Sequence, residues 1–206
     1  MIIERLVVGP FAVNCYIVGS GLGRQGMIID PGDDTGQILG RVSRLKLDIK
    51  FIVLTHGHLD HTGALKEVKE ATGSQVAVHA DDARTLNDRS LGILLGISQP
   101  SLPPPDRLLK DGDELALNGL RFTILHTPGH TPGGICLLGE GMLFSGDTLF
   151  KYGIGRTDMP GGSYSQLMDS IQAKLMTLPD EVVVYPGHGP ETTIGNERRG
   201  NTFLKA

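Results

Sequence analysis

Three imidazoles and one carboxylate crowd into the six residues His56-Gly57-His58-Leu59-Asp60-His61. Imidazole nitrogen and carboxylate oxygen are the usual ligands of zinc and other first-row metals. In an extended segment side chains alternate with a period of two, so His56 and His58 point the same way. A helix beginning near Asp60 would present Asp60 and His61 to one side. The spacing thus offers two pairs of ligands, enough to begin two neighbouring metal sites. Three later segments carry matching groups: His130 in Thr127-Pro128-Gly129-His130-Thr131-Pro132-Gly133, Asp147 in Ser145-Gly146-Asp147-Thr148, and His188 in Tyr185-Pro186-Gly187-His188-Gly189. Each follows an apolar run and sits beside glycine, where a small residue lets the backbone come close to a bound ion or substrate.

Strand ends and the loops beyond them are where α/β folds place such groups. Short β-branched runs closed by Gly, Pro or Asp predict strands at 2–8, 13–18, 27–29, 51–54, 76–78, 114–117, 120–126, 134–138, 142–145 and 181–185. Asn118-Gly119 predicts a hairpin between two of them. Ile38, Leu39, Val42 and Leu45 have helical spacing within 35–47. A second helix is expected over 64–71, closed by Thr72-Gly73, and a short one over 81–86. The strongest pattern is 164–178, with Leu167, Ile171, Leu175 and Leu178 on one face, Ser163 as N-cap and Pro179 as the stop. A polar helix is expected over 191–200. Segment 87–110 is the least regular: LGILLGIS reads as a short apolar helix, and Pro103-Pro104-Pro105 as a stiff extended piece, together an excursion or a wall over the site. Strands followed by helices, twice over, fit two sheets packed face to face with helices outside.

Composition narrows the function. A chain of 206 residues with 39% hydrophobic and 20% charged residues is an ordinary globular domain, able to fold without a metal or disulfides. Nineteen Lys and Arg against 23 Asp and Glu leave a formal charge of −4 and no nucleic-acid footprint. No apolar stretch approaches the about 18 residues of a membrane span, and the N-terminus carries no signal-peptide pattern. Cys15 and Cys136 lie in apolar strand-like runs and read as buried free thiols. A cytoplasmic protein is expected, with no nucleic-acid or membrane partner.

HGHLDH, TPGHTPG, SGDTLF and PGHG, in that order, resemble the metallo-β-lactamase-fold hydrolase superfamily, and within it the short glyoxalase II-type (hydroxyacylglutathione hydrolase-like) enzymes. The resemblance runs from the first strand to PGHGPETT. It implies an α/β fold, an αββα sandwich of two mixed β-sheets with helices on both outer faces. It implies a single domain over 1–206, without the C-terminal helical domain of full-length glyoxalase II. It also implies that His56, His58 and His130 hold one divalent ion, that Asp60, His61 and His188 hold a second, and that Asp147 bridges them. Zinc suits these ligands best, with iron or manganese also compatible. Each ion would have three protein ligands beside the shared carboxylate and keep an exchangeable position, unlike a structural zinc closed by four. Paired ions lower the pKa of bound water to about 7 and polarise a carbonyl, and Asp60 would orient the hydroxide.

A thiolate with a pKa near 8.5 leaves without a strong general acid. The expected substrate is therefore a small acyl-thiol such as S-lactoylglutathione. The missing helical domain, which holds much of the glutathione site in the longer enzymes, leaves other thiol carriers open. The family's loop after the bridging Asp faces the substrate, which makes Arg156, Lys151 and Tyr152 candidates for contacting it. A cation there would clamp a carboxylate. For Arg156 the competing reading is a loop tie to Asp158. Other readings of the resemblance are a mononuclear non-haem iron persulfide dioxygenase using His56, His130 and Asp147, a lactonase, or a metal-binding protein without catalysis. Asp30 reads as a turn residue supporting the metal loops, and His79 and His126 as structural. The sequence leaves the oligomeric state open.

Overall fold

The computed structural model describes residues 1–21, 24–84, 86 and 101–205. The first sheet runs β1 (Ile2–Val8), β2 (Val13–Gly19), β3 (Gln25–Ile29), β4 (Asp48–Val53), β5 (Gln75–His79) and β6 (Arg107–Leu109), in that spatial order. Its first three strands pair antiparallel and the rest parallel. The second sheet has β7 (Glu114–Leu117), β8 (Leu120–His126), β9 (Ile135–Gly139), β10 (Met142–Gly146), β13 (Val183–Pro186) and β14 (Thr192–Thr193). Its pairs are antiparallel except for the parallel β10–β13 pair. A two-stranded ribbon, β11 (Leu149–Phe150) with β12 (Gly153–Ile154), follows β10. The helices are α1 (Thr35–Leu45), α2 (Leu59–Thr62), α3 (Leu65–Thr72), α4 (Ala80–Ala83), α5 (Tyr164–Ser170) and α6 (Ile194–Gly200).

Strand alternation builds the layers. In β2, Tyr16 and Val18 face the second sheet, whereas Cys15 and Ile17 face the helices outside. Between the sheets Val18, Met27, Ile29 and Val53 meet Phe122, Ile124, Leu137 and Phe144. Outside the first sheet, Ile38 and Val42 of α1 and Leu65 and Val68 of α3 cover Ile28, Ile52 and Val76. Outside the second, Leu167, Ile171 and Leu175 cover Cys136, Leu143 and Val184. Strands buried on both faces need near-continuous apolar runs, as in VNCYIVG. The result is the expected sandwich of two mixed sheets with helices on both outer faces.

Several boundaries differ from the sequence reading. α1 stops at Leu45 rather than 47, because Lys46 turns left-handed at φ 54° and its N–H caps the preceding carbonyls. The helix expected over 64–71 is α3, one residue later, and Gly73 closes it at φ 66°. The helix expected over 164–178 is α5 followed by a π-helical turn, Ile171–Leu175, with Ser163 accepting from the Gln166 N–H as N-cap. The helix expected over 81–86 is one turn, α4. The last helix begins only at Ile194, because Thr192–Thr193 pairs with β13 as an edge strand. β6 lies within the segment read as an excursion, where its three residues are too few to give a strand signal. The expected LGILLGIS helix lies outside the described residues. Cys15 and Cys136 are free and buried, and burial pushes the Cys136 thiol up to about 11. Among the described residues no helix is long and apolar enough to cross a membrane.

Candidate metal centre

Four loops converge at one rim of the sandwich, leaving the ends of β4, β8, β10 and β13. After β4 the chain bends at Thr55 and His56 rather than running extended as expected, is extended at His58 and then enters α2, so His56 and His58 precede the helix while Asp60 and His61 ride its first turn. The turn after β3 lies directly under α2, where a Cβ on Gly32 would come 2.0 Å from the Asp60 carbonyl oxygen. β8 delivers His130 in a loop tied to α5, where Ser163 N–H donates to Gly129 O and Ser170 Oγ to Pro128 O. β10 ends at Gly146, left-handed at φ 48°, whose Cβ would lie 2.4 Å from Thr55 Oγ1. Gly187 lets the β13 loop close on the centre, because a Cβ there would stand 2.2 Å from Asp147 Oδ1.

The seven candidate ligands come together in two groups. His56, His58 and His130 form one, and Asp60, His61 and His188 the other, the ligand atoms within each lying within 4.8 Å of one another. Asp147 stands between them, with Oδ2 3.6 Å from His130 Nε2 and Oδ1 3.5 Å from His61 Nε2. His130 Nε2 and His58 Nδ1 are 2.9 Å apart, His61 Nε2 and His188 Nε2 3.3 Å, and His188 Nε2 and Asp60 Oδ2 3.4 Å. Ligands about 2.1 Å from a tetrahedral ion are separated by about 3.4 Å, so the spacing suits an ion in each group. Among the described residues two buried polar atoms, His56 Nε2 and Asp147 Oδ1, lack a hydrogen-bond partner. Such orphans are rare and costly in an interior, and both belong to the ligand set. The donor set therefore fits metal.

Neighbouring groups fix which ring nitrogen faces the centre. His130 Nδ1 lies 2.7 Å from Arg156 O, which can only accept, so Nδ1 carries the hydrogen and Nε2 the lone pair. Asp30 accepts from Thr55 N–H at 2.7 Å, from Thr55 Oγ1 at 2.6 Å, and from His61 Nδ1 at 3.0 Å. With the Thr55 hydroxyl hydrogen engaged by Asp30, His56 Nδ1–H donates to Thr55 Oγ1 at 3.1 Å. One carboxylate thus holds the Nδ1–H of His61 directly and that of His56 by way of Thr55, which turns Nε2 of both rings towards the centre, the usual support for metal-binding histidines. Asp30 itself takes a left-handed φ of 51°.

The two groups differ in charge. Burial holds His56 well below its ordinary pKa, helped by the neighbouring rings of His61, His58 and His130. Burial, followed by His130, lowers His58 to about 3. Burial also opposes charge on His61, but Asp147 and Asp30 outweigh it and lift the ring to about 9. His188 is raised, chiefly by its bond to Asp60. Asp60 is lowered to about 2, because contact with His188 and His61 outweighs its burial.

A cleft of about 410 Å³ opens over the centre, lined by Phe11, Leu59, Phe150, Ile154 and Met159 together with Arg156 and ligand side chains. Arg156 is exposed and pairs with Asp158 through two hydrogen bonds, Nε–Oδ1 at 2.8 Å and Nη2–Oδ2 at 2.7 Å. Lys151 and Tyr152 stand outside that lining. Tyr152 N–H donates to Glu197, and its ring lies against Gly200. His79, Asp81 and His126 also approach one another. The two rings stack 3.9 Å apart and 9° from parallel, so an ion in the plane of one would lie far out of the plane of the other.

Sequence reasoning passed over Asn14, a buried residue in β2. Its Nδ2 donates to Pro186 O at 2.9 Å and Gly189 O at 2.8 Å, and its N–H to Gly187 O, which pins the His188 loop. A lone Asn inside the apolar run VNCYIV was the available signal, because a buried amide must find partners.

The family model described as "Metallo-beta-lactamase superfamily" matches residues 8–188. Hydroxyacylglutathione hydrolase GloC of Haemophilus influenzae is 38% identical over 211 residues, covering 100% of this chain and 99% of its own. Among solved structures, BLEG-1 B3 metallo-beta-lactamase superposes with a TM-score of 0.94 at 35% identity, covering 100% of both chains. TTHA1623, in a di-iron-bound form, gives a TM-score of 0.88 at 38% identity over 98% of this chain and 100% of its own. With its fold, its ordered motifs and a family match over nearly its whole length, the chain belongs to the metallo-beta-lactamase superfamily.

Proposed function

We propose that the chain is a binuclear metal-dependent hydrolase that cleaves a small acyl-thiol. The observation that carries this reading is Asp147, whose carboxylate lies between two complete triads, 3.6 Å from His130 Nε2 of one and 3.5 and 3.7 Å from the Nε2 atoms of His61 and His188 of the other. His56, His58 and His130 would hold one divalent ion, and Asp60, His61 and His188 the other. Bound there, the ions supply an acidified water and polarise the scissile carbonyl. Asp60 stays ionised at neutral pH and can accept a hydrogen bond from the attacking water, turning its lone pair towards the carbonyl carbon. Hydrolysis breaks the C–S bond and yields a carboxylic acid and a thiol. A thiolate of pKa near 8.5 departs without a strong acid.

The cleft walls favour an apolar portion of the substrate against Phe11, Phe150, Ile154 and Met159. Arg156 is held by Asp158, which supports its role as a loop tie over that of a carboxylate clamp. The 38% identity to a hydroxyacylglutathione hydrolase supports thioester chemistry. Zinc is the first expectation and iron the second, because a relative at 38% identity was solved in a di-iron-bound form. A second reading, a mononuclear iron persulfide dioxygenase, rests on His56, His130 and Asp147 gathering on one side of the centre. Metal content, S-lactoylglutathione hydrolysis and oxygen uptake with glutathione persulfide separate the two. About two ions per chain with thioester turnover is the expected result. About one iron with oxygen uptake and no hydrolysis would replace it with the dioxygenase.

A further inference from the structure

Asp82 lies outside the ligand set, yet it touches both loops of the first triad. It is 1% exposed and sits in α4, the single turn after β5. Its Oδ2 accepts from the Gly57 N–H and from the Thr131 hydroxyl, both at 2.8 Å. Its Oδ1 accepts from the Gly133 N–H at 2.6 Å. Gly57 stands between His56 and His58, and Thr131 and Gly133 closely follow His130. The two loops leave different sheets, β4 in one and β8 in the other. The fit at Gly133 is close, because a Cβ there would come 2.5 Å from the Asp82 nitrogen and 2.6 Å from Oδ1.

We propose that Asp82 is a positioning residue that sets the distance between the His56–His58 loop and the His130 loop, and so preorganises the first ion site. The inference rests on the reading that these three histidines hold an ion. Three ligands from two sheets have no covalent reason to keep their spacing, and a shared buried acceptor supplies one. A carboxylate suits the place because it is acceptor-only on both oxygens. An amide would turn an NH2 towards at least one of the three donors and push that loop away. Residues that orient metal ligands in this way typically change metal affinity by 10–100-fold when altered.

Zinc titration of the chelator-stripped protein tests the proposal. The wild type is expected to take up about two ions per chain. Asp82→Asn is expected to weaken one of them by roughly 10–100-fold and to leave the other unchanged. The weakened ion should be the one lost in His130→Ala. Thr131→Val removes one donor without touching the carboxylate and should weaken the same ion by a smaller factor, whereas Thr131→Ser should restore it. That pair decides the matter if Asp82→Asn does not fold. A merely structural role would lower the thermal midpoint of the metal-free protein and weaken both ions alike. That outcome, or unchanged affinity for both ions, overturns the proposal. If the wild type takes up no zinc or other divalent ion, the binuclear reading fails first and this inference falls with it.

Discussion

The two halves of the centre are built by different means. The first is all imidazole, with His56 and His58 from one sheet, both kept uncharged by burial, and His130 from the other. The second interleaves imidazoles with carboxylates, so that Asp60, His61 and His188 are held together by charge before any ion arrives. In the first half His56 and His58 have lone pairs ready, and beyond the 2.9 Å contact between His58 Nδ1 and His130 Nε2 its spacing depends on the scaffold, since no charge pair holds these rings together. The second can assemble through its own attractions but must give up protons before it can ligate. Asp147 and Asp30 join the halves, the former between the triads and the latter through His61 directly and His56 by way of Thr55.

Four experiments would break or sharpen this contrast. Asp147→Ala carries the largest expected effect, because it takes a ligand from both halves. Metal content should fall from about two ions per chain to well below one, with hydrolysis lost. An unchanged content, read by elemental analysis, would remove Asp147 from the centre. Asp30→Asn should come next, weakening both ions by roughly 10–100-fold, because one carboxylate holds two rings. If only the ion near His61 weakens, the link through Thr55 carries no force.

Acid should separate the halves. His61, at about 9, and His188, also raised, are protonated below their pKa values, so protons compete for the second half as pH falls. His58, at about 3, and His56, lower than usual, offer the first half no such competition until much lower pH. Dialysis at mildly acidic pH should therefore leave close to one ion per chain, and simultaneous loss of both would break the contrast. The smallest effect is expected of Arg156→Ala. Its partner Asp158 is exposed, and such pairs contribute little. KM should rise by about threefold or less, equally for acidic and neutral thioesters. A selective rise for acidic substrates would restore Arg156 as a carboxylate clamp.

Much of the fold was legible because both sheets bury two faces, which forces apolar runs such as VNCYIVG and ICLLG that read as strands. The short pieces were not legible. β6, β11 and β12 span two or three residues each, too few for alternation to show, and they exist because neighbouring backbone pairs with them. The seven candidate ligands could be found because histidine and aspartate beside glycine at strand ends are chemically conspicuous. Asp82 was silent because it looks like an ordinary polar residue until its partner, 49 positions away, is brought alongside, and Asn14 signalled only that it needed partners, which stand up to 175 positions away.

By itself the sequence determined the types of the candidate ligands and the order in which the loops that bear them arrive, since these follow from residue type, while local period was compatible with the layered architecture that the family resemblance specified. Only the tertiary structure decided how near the candidate ligands of each group come to one another, which nitrogen of His130 turns to the centre, and that Arg156 is tied to Asp158 while Lys151 and Tyr152 lie outside the cleft lining. Those outcomes depend on distances of 3–4 Å between atoms far apart in the chain. Such distances are set by how two twisted sheets pack and by the buried carboxylates that bind their loops together.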